Sequence, residues 1–129
     1  CIVTEGLENR FARHSLNDKA LTAGLNAMGI KIFGDIAHKM PVVTAIEIPE
    51  GVDGKKVRSE LLDYFGIEIA TSFGPLDGKI WRIGNMGYSS ERRNILLTLG
   101  ALEAVLKENG VKVPSGDAVA AALEVYKNA

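Results

Sequence analysis

The sequence has 129 residues, of which 47% are hydrophobic and 24% are charged, with a formal net charge of −1. These values fit one globular domain with its own core. The near balance of 15 basic and 16 acidic residues argues against a nucleic-acid-binding surface. No apolar run approaches the ~20 residues that a membrane-spanning helix needs, so we expect no membrane association.

The first predicted element is a long amphipathic helix, which Gly29 should end in a left-handed conformation. Its stripe follows alternating steps of four and three residues: Leu7, Phe11, His14, Asp18, Leu21, Leu25 and Met28. Ile30 to Phe33 and Val42 to Ile48 are apolar runs that predict two strands.

A second helix is predicted after Asp53, which can cap it, and Gly66 should end it. Its expected inward-facing residues are Val57, Leu61, Leu62 and Phe65. Ile67 to Ala70 and Lys79 to Ile83 predict two further strands, joined by the loop Thr71 to Gly78.

The C-terminal third predicts two more helices. Ser89 or Ser90 should cap the first, which runs to about Asn109 and is closed by Gly110. Its expected core residues are Ile95, Leu99, Leu102 and Leu106. The last helix follows Pro114 and Ser115, with Val119, Leu123 and Tyr126 on its packing face. This order of elements predicts an α+β fold, in which helices cover one face of a small, mostly antiparallel sheet.

Arg82 interrupts an otherwise apolar strand, Lys79 to Gly84. Alternation places Ile80 and Arg82 on one face of the strand, and Trp81 and Ile83 on the other. Because a guanidinium keeps its charge in a protein, enclosing one requires an anion beside it. The anion is either a carboxylate of the protein or a ligand, and the residues alone leave both alternatives open.

Self-contained catalytic motifs are absent from the sequence. Cys1, His14 and His38 are scattered and have no metal-ligand spacing, so we expect no metal site. His14 is expected to be a hydrogen-bonded core or interface residue, whereas His38 lies in a predicted loop. No nucleophile elbow, P-loop or dinucleotide fingerprint occurs.

The first residue, Cys1, has no disulfide partner within the chain, which favours a reducing, cytoplasmic location. It also stands where a natural chain begins with Met, inside a helical pattern. We therefore expect the chain, residues 1–129, to be one domain cut from a longer protein.

A block from Gly74 to Gly87, GPLDGKIWRIGNMG, resembles the C-terminal domain of class V, fold-type I aminotransferases that use pyridoxal 5′-phosphate (PLP). The segments Glu5 to His14 and Val52 to Gly54 resemble the helix entering that domain and the turn before its second helix. Phe33 to Val43 and Gly116 to Tyr126 are similar to the (S)-ureidoglycine–glyoxylate transaminases of purine breakdown within this family. The resemblance covers essentially the whole chain.

The resemblance implies a role for Arg82, because the family's W-R-I-G arginine binds the α-carboxylate of an amino-acid or keto-acid substrate. It implies that Thr71, Ser72 and Gly74 lie in a loop lining the cleft. It also implies that PLP and its Schiff-base lysine belong to a large upstream domain, since no lysine here matches that position. The expected parent is a homodimer that moves an amino group from (S)-ureidoglycine to glyoxylate, with this domain inactive alone.

Two alternatives remain open at this point. The domain could come from an alanine– or serine–glyoxylate aminotransferase. It could also be a stand-alone, non-catalytic binding module, in which the first helix and the alanine-rich tail are partner surfaces.

Overall fold

The computed structural model describes residues 2–34, 43–72, 74–84 and 89–129. The helices and strands have these bounds: α1 Ile2–Glu5, α2 Leu7–Ala27, β1 Val43–Glu47, α3 Gly54–Phe65, β2 Ala70–Thr71, β3 Ile80–Gly84, α4 Arg92–Glu108 and α5 Asp117–Lys127. A single 3₁₀ turn, Gly74–Leu76, lies between β2 and β3. The α+β fold class is confirmed.

The sheet has three strands in the order β1-β3-β2, and both pairings are antiparallel. The strand predicted at Ile30 to Phe33 is wrong, since the residues form only a bridge between Ile32 and Ile46. The strand predicted at Ile67 to Ala70 is wrong in extent, because pairing covers only Ala70–Thr71. In both cases the first backbone N–H of the predicted strand bonds to the end of the preceding helix instead of to a strand. Ile30 N–H donates to the Leu25 carbonyl, and Ile67 N–H donates to the Leu61 carbonyl.

Helix ends follow the local sequence closely, with one exception. The Asp53 side chain accepts hydrogen bonds from Lys55 N and Lys56 N, and Gly66 is left-handed with φ 67°. Gly29 and Gly110 also have positive φ, just beyond α2 and α4. The cap predicted for α4 is wrong, because Glu91 occupies the N-cap position without a side-chain hydrogen bond. Ser90 is fully buried instead.

The core lies between the helices and one face of the sheet, where Ile46, Trp81 and Ile83 pack against α2, α3, α4 and α5. Trp81 is fully buried, and its Nε1–H donates to the Gly54 carbonyl at 3.1 Å. Val57 and Leu61 of α3 are buried as predicted.

Several predicted inward-facing residues are exposed. Leu62 and Phe65 of α3 are 47% and 39% exposed, and Leu123 of α5 is 37% exposed. On α5 the buried residues are Ala118 and Ala122, while Val119 and Tyr126 are only partly buried. The predicted α2 stripe is exposed at its start, at Leu7 and Phe11, and its buried residues are His14, Leu21, Leu25 and Met28.

No helix within the described ranges is long and apolar enough to cross a membrane.

Candidate functional site

Arg82 lies at the centre of the sheet, on the face turned away from the core. The buried pair Ile46 and Trp81 fixes the register of β1 against β3. One residue further along β3, Arg82 is directly opposite Ala45 on β1 and Ala70 on β2. Since neighbouring residues of a strand point to opposite faces, Arg82 and both alanines point away from the core. The predicted alternation of this strand is confirmed.

The Arg82 guanidinium is half-buried and only partly paired. Its Nη2–H donates to the backbone carbonyl of Thr71 at 3.0 Å. Its Nε is enclosed and has no hydrogen-bond partner among the described residues. No carboxylate of residues 2–34, 43–72, 74–84 or 89–129 forms an ion pair with it. A neutral carbonyl orients a guanidinium without neutralising it, so the site retains a net positive charge and an unused donor.

Small side chains leave room around this charge. Ala45 and Ala70 flank Arg82 on both neighbouring strands, and an alanine projects no atoms beyond Cβ. Phe33 lies beside Ala45, because its backbone N–H donates to the Ala45 carbonyl at 2.9 Å. Its side chain is 41% exposed. Neither neighbouring strand therefore places a large side chain directly opposite the guanidinium.

The three residues predicted to line a cleft behave differently. Thr71 is brought to Arg82, but through its backbone carbonyl and not through its side chain. Ser72 is half-buried, and its side chain makes no hydrogen bond within the described part of the chain. Gly74 is exposed with φ 66°, where it starts the 3₁₀ turn. The structure thus assembles Arg82 with Thr71, whereas contact with Ser72 or Gly74 stays a prediction.

His14 lies apart from this face. His14 is 6% exposed, and its Nδ1 is 2.7 Å from the Arg10 carbonyl oxygen, as expected for a hydrogen-bonded core histidine. His38 lies outside the described residues. Within the described ranges no cluster of three or more His, Cys, Asp or Glu side chains could hold a metal ion.

An open concavity of about 630 Å³ is lined in part by Phe33, and no sequence motif predicts it. Strand and turn residues from distant parts of the chain form it, so no local motif marks its position. Its charged lining residues are two lysines and two glutamates: Lys31, Lys79, Glu47 and Glu50. Because these charges balance, the lining carries no excess positive charge, whereas Arg82 has no carboxylate partner among the described residues.

The chain is similar in sequence to known enzymes. The chain is 57% identical over 128 residues to the (S)-ureidoglycine–glyoxylate transaminase of Bacillus subtilis strain 168, covering 99% of this chain and 31% of the relative. It is 38% identical over 104 residues to the alanine–glyoxylate aminotransferase of Callithrix jacchus, covering 80% and 25% respectively. No family model matches the chain.

Solved structures agree with the sequence matches. The backbone superposes on the crystal structure of ureidoglycine–glyoxylate aminotransferase from Bacillus subtilis with a TM-score of 0.96, covering 98% of this chain and 33% of that one. Pyridoxamine–pyruvate aminotransferase from Mesorhizobium loti gives 0.92 at 33% identity, covering 98% and 32%. The chain thus spans about a third of the length of the relatives that it matches. Its sequence and its fold are those of the C-terminal domain of class V aminotransferases.

Proposed function

We propose that this chain is the C-terminal small domain of a longer PLP-dependent aminotransferase, and that Arg82 binds the carboxylate of its amino-acid and keto-acid substrates. The large PLP-binding domain, with its Schiff-base lysine, is the proposed partner within the same polypeptide. The length of the relatives supports this arrangement, since each is about three times as long as this chain. The parent is proposed to be a cytoplasmic homodimer, and this domain is proposed to be inactive without it.

The enclosed, unpartnered Nε of Arg82 is the observation that carries the proposal. A buried donor without an acceptor is costly, by about 1–3 kcal/mol, and more for a charged group. A substrate carboxylate that displaces the atoms covering Nε would supply the missing acceptor and the missing negative charge together. The planar fork can form two parallel hydrogen bonds, which fix the orientation of the carboxylate as well as its position.

The neighbours of Arg82 support this role. The Thr71 carbonyl holds one end of the guanidinium, so little side-chain freedom remains to be lost on binding. Ala45 and Ala70 keep the approach open. PLP, when bound, supplies the electron sink that amino-group transfer requires. Arg82 would orient the substrate toward it, a contribution that lowers the barrier by positioning. The free N–H groups of the Arg82 guanidinium suit a carboxylate. We propose that the contacts of PLP itself lie in the large domain.

For the reaction, we propose transfer from (S)-ureidoglycine to glyoxylate. The 57% identity to a relative named for that reaction favours it over the 38% identity to an alanine–glyoxylate enzyme. The C-terminal tail does not help this choice, because a pyridoxamine–pyruvate enzyme also matches 98% of the chain. A screen of the full-length enzyme against (S)-ureidoglycine, alanine, serine and pyridoxamine, with glyoxylate or pyruvate as acceptor, tests the assignment. Preference for another pair would reject it while leaving the aminotransferase proposal standing.

Substitution of Arg82 in the full-length enzyme tests the carboxylate role. Arg82→Lys keeps the charge but loses the fork, and we expect the KM for the amino-acid substrate to rise roughly 10- to 100-fold, the loss of one charge-assisted contact. Arg82→Ala should have a larger effect. The visible absorbance of bound PLP should remain in both variants, because the cofactor is held elsewhere.

Arg58→Ala is the matched control. Arg58 lies on α3, donates from Nε to the Ile69 carbonyl at 3.0 Å and is paired with Glu68 at 3.5 Å. Its anion is therefore already supplied by the protein, and its loss should leave KM unchanged. Unaltered kinetics in Arg82→Ala, with PLP still bound, would reject the proposed role.

A further inference from the structure

A chain of buried hydrogen bonds joins the C-terminal helix to the segment that follows the arginine strand. The Tyr126 hydroxyl on α5 donates to Oδ1 of Asn17 on α2 at 2.6 Å. Nδ2 of Asn17 donates in turn to Oγ of Ser90 at 3.0 Å. Asn17 is 3% exposed and Ser90 is fully buried. Both contacts join residues far apart in sequence, so they fix tertiary structure and not a local turn.

Ser90 is held through its backbone as well as its side chain. The Arg13 guanidinium donates to the Ser90 carbonyl oxygen. Arg13 is itself fixed by Glu5, with Nε 2.5 Å from Oε1 and Nη2 3.1 Å from Oε2. Ser90 follows β3 and directly precedes the N-cap of α4. Its position therefore fixes where α4 begins.

The position of Asn17 lowers the stability of the fold in two ways. It lies inside a long helix, where Asn is a poor helix former, and its burial removes a polar amide from water. Both of its polar groups are nevertheless satisfied, one by Tyr126 and the other by Ser90. A fully satisfied buried network rigidifies and specifies one arrangement of the elements that it connects.

The next residue of α2 makes a second connection to the same part of the sheet. Oγ1 of Thr44 donates to Oδ1 of Asp18 at 3.3 Å, and Thr44 is fully buried. Thr44 pairs across the sheet with Ile83, the neighbour of Arg82. Adjacent residues of α2 thus connect to β1 beside the arginine and to the chain beyond β3.

Tyr126 is well suited to donate in this network. Burial raises its pKa to about 12, so the hydroxyl keeps its proton at neutral pH. The Arg92 guanidinium lies over the Tyr126 ring, 5.1 Å from its centroid. Substitution of Tyr126 by Phe therefore removes the donor and retains the ring contact.

We propose that Tyr126 and Asn17 are positioning residues. Asn17 lets the C-terminal helix hold α2 against the start of α4 at Ser90. The next residue of α2, Asp18, holds Thr44 of β1 beside Arg82, and the same position of α2 thereby sets the alignment of Arg82 toward the substrate carboxylate. This inference rests on the proposed role of Arg82.

The test compares Tyr126→Phe with Val119→Ala in the full-length enzyme. Val119 is on the same helix and packs against the core, without a polar link to α2. We expect Tyr126→Phe to speed amide hydrogen exchange in the peptide from Ser89 through the first turn of α4, measured without substrate. We also expect it to raise the KM for the amino-acid substrate roughly fivefold, the effect of one net hydrogen bond, with kcat within twofold. Val119→Ala should lower the melting temperature without either change.

The two proposals fail separately. Unchanged exchange and unchanged KM in Tyr126→Phe overturn the positioning role, even if Arg82→Lys raises KM. If Arg82→Lys leaves KM unchanged, the carboxylate role falls and the alignment of Arg82 falls with it. Ser90→Ala provides a further check. If Tyr126 and Ser90 act through one chain of hydrogen bonds, the double variant Ser90→Ala with Tyr126→Phe should have the same KM as Ser90→Ala alone. Fully additive effects on KM would contradict that chain.

Discussion

Replacement of Gly24 by Ala should destabilise the fold, although helix propensity alone favours the change. Gly24 is buried in α2 at the place where α4 and α5 approach. An added Cβ would lie 2.4 Å from Cδ1 and 2.7 Å from Cδ2 of Leu99, and 3.0 Å from the carbonyl oxygen of Ala118. Distances below 3.0 Å require the neighbours to move, and Leu99 is fully buried.

Two effects of known size oppose each other at Gly24. Ala is favoured over Gly by about 0.8–1.0 kcal/mol in a helix interior. Overpacking a core costs about 1–3 kcal/mol when side chains and backbone must shift. Because the Ala118 oxygen belongs to the backbone of α5, it cannot rotate away as a side chain can. We expect a net loss of about 1 kcal/mol, or a melting temperature lower by roughly 3–5 °C.

Gly100→Ala is the matched control for this prediction. Gly100 also lies inside a helix, α4, but a Cβ there would meet no described heavy atom within 4 Å. Urea unfolding should therefore show a gain of up to about 1 kcal/mol for Gly100→Ala and a loss for Gly24→Ala. If both variants gain stability equally, the close approach of the three helices does not control the stability at Gly24.

Three further predictions concern the helix ends and the surface. Asp53→Ala should lower the unfolding free energy by about 1 kcal/mol in urea, whereas Asp53→Asn keeps an N-cap acceptor and should lose much less. The hydrogen bond from Arg13 lowers the pKa of Glu5 below 4.5, so its stabilisation is present above that pH and lost as the pH falls through the lowered pKa. Glu5→Gln should flatten this part of the stability profile, and an unchanged acid slope would count against the pair. Phe11→Ser should reduce self-association of the isolated chain in sedimentation, because Val3, Leu7 and Phe11 are 92%, 53% and 64% exposed; a wild-type chain that stays monomeric at high concentration would contradict this.

The sequence predicted helix ends well because they depend on neighbouring residues. Asp53 caps α3 through N–H groups two and three residues away, and Gly66 takes the left-handed conformation that a side chain disfavours. The same locality explains the failed strands. Ile30 and Ile67 have strand-like side chains, but their N–H groups close the ends of α2 and α3. The periodicity of side chains does not show whether a backbone N–H will bond to a helix end or to a neighbouring strand.

The packing face of α5 was predicted only in part. Val119 and Tyr126 pack against the core, as expected, whereas Leu123 is 37% exposed. The fully buried residues of the helix are Ala118 and Ala122, because α5 approaches α2 closely beside Gly24. A close helix contact selects small residues, and only the tertiary arrangement reveals which helices approach in this way.

The candidate site was predictable only in part. Alternation placed Arg82 on the face opposite Trp81, and the family resemblance gave it a role. The alanines opposite it, the Thr71 carbonyl and the link from Tyr126 to Ser90 all depend on pairings between distant parts of the chain. No local pattern contains that information.

The pairing of Arg82 differs from that of the structural arginines Arg13 and Arg58. Arg13 and Arg58 each have both a backbone carbonyl and a carboxylate, so the protein supplies their anion. Arg82 has the carbonyl of Thr71 but lacks a described carboxylate, and its enclosed Nε is left without an acceptor. Folding alone gains nothing from leaving a donor unpaired, since the cost must be offset by other contacts. Binding of an external carboxylate would recover that cost. The incomplete pairing of Arg82 therefore favours an anion that arrives with the substrate.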